Sequence, residues 1–220
     1  MPHGSTEMPW LEQIMAASPE TLGLVMLEAD PHGWRLDRSE RLAAVADALG
    51  DGAAAAGNLR AQFPGLTPRE IAHALGLPIH STDDDPLVGS LWRFAEYQPR
   101  PSRILLYSRG LAPLDRMLVD PLAARLLGPA TLQDAFIAHE LFHHMEATRS
   151  TPPIARRYRP TLFRVGGWHW RTGIAALSEI AAGAFAQSLL GLPCYPRVLD
   201  LVARDTVASS AAASRSRDAM

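Results

Sequence analysis

Two long apolar segments with helical periodicity, residues 131–145 and 172–191, constrain the fold more than any other part of this sequence. In the first segment, Thr131 and Asp134 form a predicted N-terminal cap for an amphipathic helix. The second segment is a further strong helix, which we expect to end at Gly191. Both helices must bury an apolar face, so they are expected to build much of the core.

A compact helix and a strand are predicted upstream of these segments. Residues 67–77, TPREIAHALGL, begin with Thr67 as a candidate N-cap and Glu70 as its capping-box partner, and Gly76 ends the helix. Residues 103–107, RILLY, follow a proline cluster and are the clearest strand candidate. The sequence therefore predicts both helical and extended structure.

The remaining segments carry weaker signals. Residues 10–30 predict one or two short helices, and a further helix runs through RSERLAAVADALG, residues 38–50. The following DGAAAAG either continues that helix or forms a turn, and the sequence does not decide between the two. A helix is predicted after Pro121, ending at Gly128.

The segment between the two long helices and the chain ends are predicted to be mostly irregular. Residues 150–171 are rich in proline, arginine and aromatic residues, which predicts a long loop with a short hairpin near LFRV. Residues 1–9 and the chain from 206 onward are small and polar, and we expect them to be disordered.

Composition limits the compartment and the partners. The formal net charge of −2 provides no global basic field for nucleic acid, and the basic residues are all arginines scattered along the chain. The single cysteine, Cys194, rules out an intramolecular disulfide and a cysteine-based zinc site. The sequence shows no signal peptide and no apolar run long enough to span a membrane. We expect a cytoplasmic protein with no membrane association.

One functional hypothesis is a helix-turn-helix DNA-binding protein, and it rests on TPREIAHALGL alone. The next residues, PIHSTDDDPLVGS, contain three consecutive acidic residues and no second amphipathic helix. Acidic side chains repel the phosphate backbone, so this pattern disfavours direct nucleic-acid binding.

The decisive motif is AHELFHH, residues 138–144. His139 and His143 are four residues apart, so on a helix their rings lie one turn, roughly 6 Å, apart on the same face. Two imidazoles at this spacing can bind one tetrahedral metal ion. Glu140 lies beside them, displaced by about 100° around the helix axis. This position suits a general base that takes a proton from a water molecule activated by zinc.

A third metal ligand has to come from another part of the chain. Glu146 lies about 10 Å from His139 along the helix, and His144 points to a different face, where it is a neighbouring or surface histidine. The best candidate is Glu179, because the small residues around it allow two helices to approach closely and because a buried carboxylate needs a partner. His169, in GGWHW, is the alternative.

These segments together resemble the ImmA/IrrE-type metallopeptidases, which are gluzincins. The resemblance rests on AHELFHHME and SEIAAGAFAQSLLGLP, with support from TPREIAHALGLPIH and RILLYS, and spans roughly residues 65–195. It implies that His139, His143 and Glu179 bind zinc and that Glu140 is the general base. The chain departs from the family in the residues between the strand and the motif helix, 111–130, and in a longer gap before Glu179.

The predicted fold class is α+β and predominantly helical. It has a zincin-like core, in which the HExxH helix packs on the second, glutamate-bearing helix and on a small β-sheet. The predicted division is an N-terminal helical extension packed on the core over residues 1–64, a metallopeptidase domain over 65–205, and a disordered tail over 206–220.

The leading functional hypothesis is a Zn²⁺-dependent peptidase that hydrolyses a peptide or protein substrate, which the resemblance suggests is a regulatory protein. The alternative is a catalytically silent metal-binding module that works by binding a partner. Peptide hydrolysis also needs a donor for the developing oxyanion, for which Tyr158, His169 and Arg171 are candidates. Trp168 and Trp170 either line a substrate groove or pack beside the core.

Overall fold

The structure is a computed structural model that describes residues 9–89 and 91–203. It has the predicted α+β class, with many helices and a small sheet. The helices are α1 (Pro9–Met15), α2 (Pro19–Ala29), α3 (Arg38–Gln62), α4 (Pro68–Ala74), α5 (Ser108–Met117), α6 (Pro121–Ala124), α7 (Leu132–Thr148) and α8 (Ala175–Leu190). Short 3-10 helices lie at Gly33–Arg35 and Ile154–Arg156, and residues 197–203 are also helical.

The strands form one three-stranded sheet and two hairpins. In the sheet, the order is β1-β5-β4, with β5 pairing parallel to β1 and antiparallel to β4. The hairpins pair β2 with β3 and β6 with β7, both antiparallel. The strands are β1 (Ile79–Thr82), β2 (Leu87–Val88), β3 (Leu91–Trp92), β4 (Ala95–Pro99), β5 (Ser102–Tyr107), β6 (Thr161–Val165) and β7 (Trp168–Arg171).

Helix α8 is the centre of the core. It packs against both α3 and α7, and its residues from Ile180 to Ala182 are fully buried. Gly52 of α3 lies so close to α8 that a Cβ there would overlap the carbonyl oxygen of Ala181. On the other side, Phe142 of α7 meets Phe185 of α8, with ring centroids 5.7 Å apart. The two long apolar segments of the sequence are thus neighbours.

The predicted helix caps are confirmed. Thr67 and Glu70 form a capping box at the start of α4, and Thr131 and Asp134 form one at the start of α7. DGAAAAG, which the sequence left open, continues α3 as helix. A strand and not a second helix follows α4, so no helix-turn-helix forms in this segment.

Between β5 and α7, one predicted helix needs correction and one helix was not predicted. The predicted helix from Pro121 to Gly128 is only the single turn α6, because the chain then tightens into 3-10-type bonds such as Leu126 N–H to Ala123 O. The helix α5 was not predicted, since Pro113 in its middle interrupts the helical pattern.

The other boundaries agree with the sequence, apart from the start of the second long helix. The loop over residues 150–171 contains the expected hairpin, β6–β7. Helix α8 begins at Ala175 and not near Thr172, and it ends at Gly191, where φ is +64°. Residue 9 belongs to α1, and the rest of the predicted disorder, residues 1–8 and the tail from 206, lies outside the described residues.

Candidate metal centre

Helix α7 presents two histidines from one face. His139 and His143 are one turn apart, and their ring centroids are separated by 4.9 Å. Their Nε2 atoms are closer still, at 3.2 Å, so both rings point at the same small volume. Each side chain is about one-fifth exposed (22% and 21%), so the pair is open to solvent on one side.

Helix α8 brings the third group to the same point. The carboxylate of Glu179 lies with Oε2 3.2 Å from the Nε2 of His139 and with Oε1 3.4 Å from the Nε2 of His143. Gly183, one turn after Glu179, makes room for the Tyr195 ring, which a Cβ there would overlap. The carboxylate is about half exposed (51%), so it closes one side of the site and leaves the other open.

The three groups fit a metal ion. Tetrahedral zinc sites have bonds of about 2.0–2.1 Å, which places neighbouring ligand atoms about 3.3–3.4 Å apart. The two histidine nitrogens, 3.2 Å apart, are close to this spacing, and the Glu179 carboxylate meets them with different oxygens, Oε2 at 3.2 Å from His139 and Oε1 at 3.4 Å from His143. Within residues 9–89 and 91–203, this is the one cluster of three or more histidine, cysteine or acidic side chains close enough to bind an ion together. The cluster could therefore hold a metal ion.

Glu140 lies next to the cluster but is held by a different contact. Its side chain is buried, with 7% exposure, and its Oε2 accepts a hydrogen bond of 2.7 Å from the backbone N–H of Tyr97. In antiparallel strands, hydrogen-bonded and non-bonded pairs alternate. Because Tyr107 N–H donates to Phe94 O, the Tyr97 pair with Ile104 is a non-bonded one. The N–H of Tyr97 therefore points away from β5, towards α7.

The charges within the site are coupled. Desolvation would lower the pKa of His139, but the hydrogen bond and the negative charge of Glu179 outweigh it and raise the pKa to about 9. Desolvation would raise the pKa of Glu179, but the two imidazoles hold it well below its usual range. Burial raises the pKa of Glu140, against the opposing effect of His139 and His143. A bound cation would compete with protons for these groups.

The cluster opens onto a cleft of about 400 Å³. His139, Glu140 and Glu179 line one wall. Much of the rest is apolar, with side chains from β3, from the residues leading into β4, and from α7, while the two arginines that also line the cleft are each paired with an acidic residue. These other lining residues include Trp92, Phe94, Phe136, Leu199, Arg93 and Arg197.

Several residues considered from the sequence lie elsewhere. His169 is an exposed residue of β7 and is not part of the cluster. Glu146 accepts a hydrogen bond from Ile154 N–H and pairs with Arg149, so it closes the loop after α7. His144 is 3.3 Å from the hydroxyl of Tyr97, and so it contacts the residue whose N–H holds Glu140.

The candidates for an oxyanion donor are also not in the cleft. The hydroxyl of Tyr158 donates to Asp47, and Arg171 borders a separate cavity with it. Trp168 and Trp170 do not line the cleft either, and they are 85% and 62% exposed. Both alternatives for the two tryptophans, a substrate groove and packing beside the core, are therefore wrong, because the hairpin that carries them points into solvent.

Sequence reasoning missed three groups at the cleft. The backbone N–H of Tyr97 has no sequence signal, because it depends on the position of an edge strand. Tyr195 and Arg197 follow α8, and the Tyr195 hydroxyl donates to Ile180 O at 2.8 Å. Arg197 pairs with Asp200 at 2.7 Å. After Pro196, the apolar residues Val198, Leu199 and Val202 recur at helical spacing, a signal that predicts a further short helix.

No helix among the described residues has the length and apolarity required to cross a membrane. In comparisons with known proteins, no family profile matches the chain, and neither a curated protein nor a solved structure matches it significantly.

Proposed function

We propose that this chain is a zinc-dependent metallopeptidase of the gluzincin type, related to the ImmA/IrrE-type enzymes. The observation that carries the proposal is the convergence of His139, His143 and Glu179, with the two histidine nitrogens 3.2 Å apart and one carboxylate oxygen within 3.4 Å of each. The neighbouring Glu140 supplies the general base that such an enzyme needs. A zincin-like core, with the motif helix packed on α8 and next to the sheet, is part of this proposal.

The number of ligands supports a catalytic site over a structural one. Structural zinc sites are closed by four protein ligands, whereas catalytic sites use three and keep one position open. The described residues bring three ligands together, and the site borders a cleft large enough for part of a peptide. Zinc bound there would supply a Lewis acid that polarises a carbonyl group and lowers the pKa of water to about 7.

Glu140 accepts and returns the proton. Its Oε2 is fixed by Tyr97 N–H, which leaves Oε1 to take a proton from the attacking water and to pass it to the leaving amine. Burial against α7 and β4 keeps this carboxylate in one orientation. His144 contributes indirectly, since it contacts the Tyr97 side chain on the strand that holds Glu140.

The cleft supports a peptide or protein as the substrate. Strand β4 is an outer strand of the sheet, and Phe94 and Ala95 line the cleft. Glu140 takes the outward N–H of Tyr97, but Ala95 is also in a non-bonded pair, with Leu106, so its backbone groups face away from β5 and can hydrogen-bond an extended peptide. The apolar wall beside it suits an apolar side chain of the substrate.

The test combines metal analysis with proteolysis. Purified chain should contain about one zinc per molecule and should cleave an unfolded protein such as casein or members of a quenched-fluorescence peptide library. Glu140→Gln should keep the metal and lose activity by about 10²-fold or more. Glu179→Ala should lose most of the metal. Glu28→Ala, an exposed glutamate of α2, is the control and should change neither.

The outcomes separate the parts of the proposal. Unchanged metal content in Glu179→Ala would remove this residue from the ligand set. Metal binding without any cleavage, unaffected by Glu140→Gln, would instead indicate the catalytically silent metal-binding module. Cleavage that continues in Glu140→Gln would exclude this glutamate as the base.

A further inference from the structure

The β6–β7 hairpin projects from the protein without packing on it. Every residue from 163 to 171 is exposed, so both faces of the hairpin meet solvent. Gly166, with φ of +59°, and Gly167 form the turn at its tip. Exposed aromatic residues at such a density are unusual, since proteins rarely expose a contiguous apolar patch without a binding partner.

One face of the hairpin is entirely apolar. Phe163 pairs with Trp170, and Val165 pairs with Trp168 nearer the tip. These four side chains are 55–85% exposed, with Trp168 the most exposed. The rings of Phe163 and Trp170 are stacked, with planes 7° apart, so the face is flat and ordered. The opposite face carries the pair Arg164 and His169.

The surrounding sequence is strongly cationic. Residues 147–178 contain six arginines and no acidic residue. Arg35, Arg157, Arg159 and Arg171 border one cavity at the base of the hairpin together with Glu40, and Arg157 is paired with Asp47 and Asp51. Among residues 9–89 and 91–203, neither Arg159 nor Arg171 has an ion-pair partner, so both are free to bind an anion.

We propose that the β6–β7 hairpin is an anchor for anionic membrane surfaces, with its apolar face in the lipid interface and the arginines at its base on lipid phosphates. The proposal goes beyond the peptidase function and does not depend on it. It replaces the expectation, drawn from the sequence, that the protein does not associate with a membrane. A peripheral anchor needs no membrane-spanning segment, so it is compatible with the lack of such a helix among the described residues.

The order of the groups along the hairpin favours a bilayer over other anionic partners. The apolar tip comes first and the free arginines lie behind it, which matches a membrane in which phosphates cover the acyl chains. From Gly166 to Thr161 the hairpin reaches about 16 Å at roughly 3.3 Å per residue. Interfacial segments enter to a depth of about 5–10 Å, so Arg171, paired with Thr161, would remain among the headgroups. Single-stranded nucleic acid offers bases and phosphates side by side and would require arginines on the aromatic face.

The test is co-sedimentation of the full chain with vesicles. We expect binding to phosphatidylcholine vesicles that contain phosphatidylglycerol, weak binding to phosphatidylcholine alone, and a decrease as ionic strength rises. Val165→Asp should weaken binding by about tenfold or more, because it places a charge in the interface. The matched control is Val119→Asp, since Val119 is also exposed (82%) but lies far along the chain from the hairpin.

The arginines are tested in the same way. Arg159→Gln and Arg171→Gln should each weaken binding by about fivefold at low salt, whereas Arg109→Gln, an exposed arginine of α5, should have little effect. Quenching of tryptophan emission by brominated lipid should be strong in the natural chain and reduced in Trp168→Phe. Circular dichroism of each variant checks that the fold is kept.

Three results would overturn the proposal. The first is no sedimentation with the anionic vesicles. The second is equal loss of binding in Val165→Asp and Val119→Asp, which would mean that the hairpin has no special role. The third is binding of a labelled single-stranded oligonucleotide that Trp168→Ser abolishes while lipid binding stays unchanged, which would assign the hairpin to nucleic acid.

Discussion

The two helices that carry the candidate metal centre begin in different ways. Helix α7 is capped by its own residues, because the Thr131 hydroxyl accepts a hydrogen bond from Asp134 N–H and the Asp134 carboxylate reaches back to Thr131. Helix α8 has no such cap, since its N-cap residue is Ile174. Its cap comes from Asp30, at the end of α2, which accepts a hydrogen bond of 3.0 Å from Ala176 N–H.

Asp30 ties three backbone groups together. Its Oδ1 accepts from the N–H groups of His32 and Gly33, and its Oδ2 accepts from α8. Asp30 is buried, with 8% exposure, so water could not replace the hydrogen bonds that would be lost with its side chain. The start of α8 is thus determined by a residue 146 positions away, and that of α7 by its own first turn. We infer that α7 can form early and locally, whereas α8 requires the core to assemble around it.

Metal addition should give the largest effect, because an ion would join the two helices. We expect Zn²⁺ to raise the free energy of unfolding by about 4 kcal/mol when free metal exceeds the dissociation constant a thousandfold. In Glu179→Ala, which keeps both histidines of α7 but removes the ligand on α8, the rise should fall by more than half. Urea unfolding with Zn²⁺ and with a chelator measures it. An equal rise in both proteins would show that α8 takes no part in binding.

Gly52→Ala tests the packing of α8 on α3. A Cβ at Gly52 would overlap Ala181 O, so the helices must separate, and we expect a loss of about 3 kcal/mol in the free energy of unfolding. Gly57→Ala, in the same helix, has nothing within 4 Å and should stabilise by about 0.5–1 kcal/mol. Chemical denaturation measures the free energy of unfolding of both variants. A decrease in Gly52→Ala with an increase in Gly57→Ala would confirm the close contact, and an increase in both variants would contradict it.

Asp30→Ala tests the N-terminal cap that Asp30 of the α2 end provides to α8. It leaves the N–H groups of Ala176 and His32 without their acceptor, whereas Gly33 N–H keeps its bond to the carbonyl of residue 30, and we expect a loss of about 2 kcal/mol in the free energy of unfolding. Because Glu179 lies in the first turns of α8, metal affinity should fall as well. Asp30→Asn keeps one acceptor oxygen and should lose less. Denaturation and zinc titration of the three proteins measure both effects, and unchanged stability in Asp30→Ala would mean that α8 needs no cap.

Thr131→Ala should give the smallest change. It removes the hydroxyl of one capping box, and such a loss costs about 1 kcal/mol. The expected order, Asp30→Ala more destabilising than Thr131→Ala, reflects exposure, because water can replace the exposed hydrogen bonds of the local cap but not those of the buried Asp30. Thermal unfolding monitored by circular dichroism measures the difference, and the reverse order would contradict the contrast between the two helices.

Prediction from the sequence succeeded where the information was local. The capping boxes of α4 and α7, the end of α8 at Gly191 and the strand β5 were all predicted because each depends on residues close together in the chain. The pairing of His139 with His143 belongs to this class, since helical geometry alone places them on one face. The helix α5 was missed because its internal proline disfavours a helix locally, and its burial against the core compensates for this.

The sequence by itself determined the two imidazoles one turn apart, the glutamate beside them and the apolar character of both long helices. Only the tertiary structure decided how Glu179 meets those rings, how Tyr97 N–H holds Glu140 and why α8 starts where Asp30 can cap it. The physical reason is the distance along the chain over which each kind of interaction acts. Helix periodicity and capping act over three or four residues, whereas the contacts of α8 and β4 join segments tens of residues apart that only packing brings together.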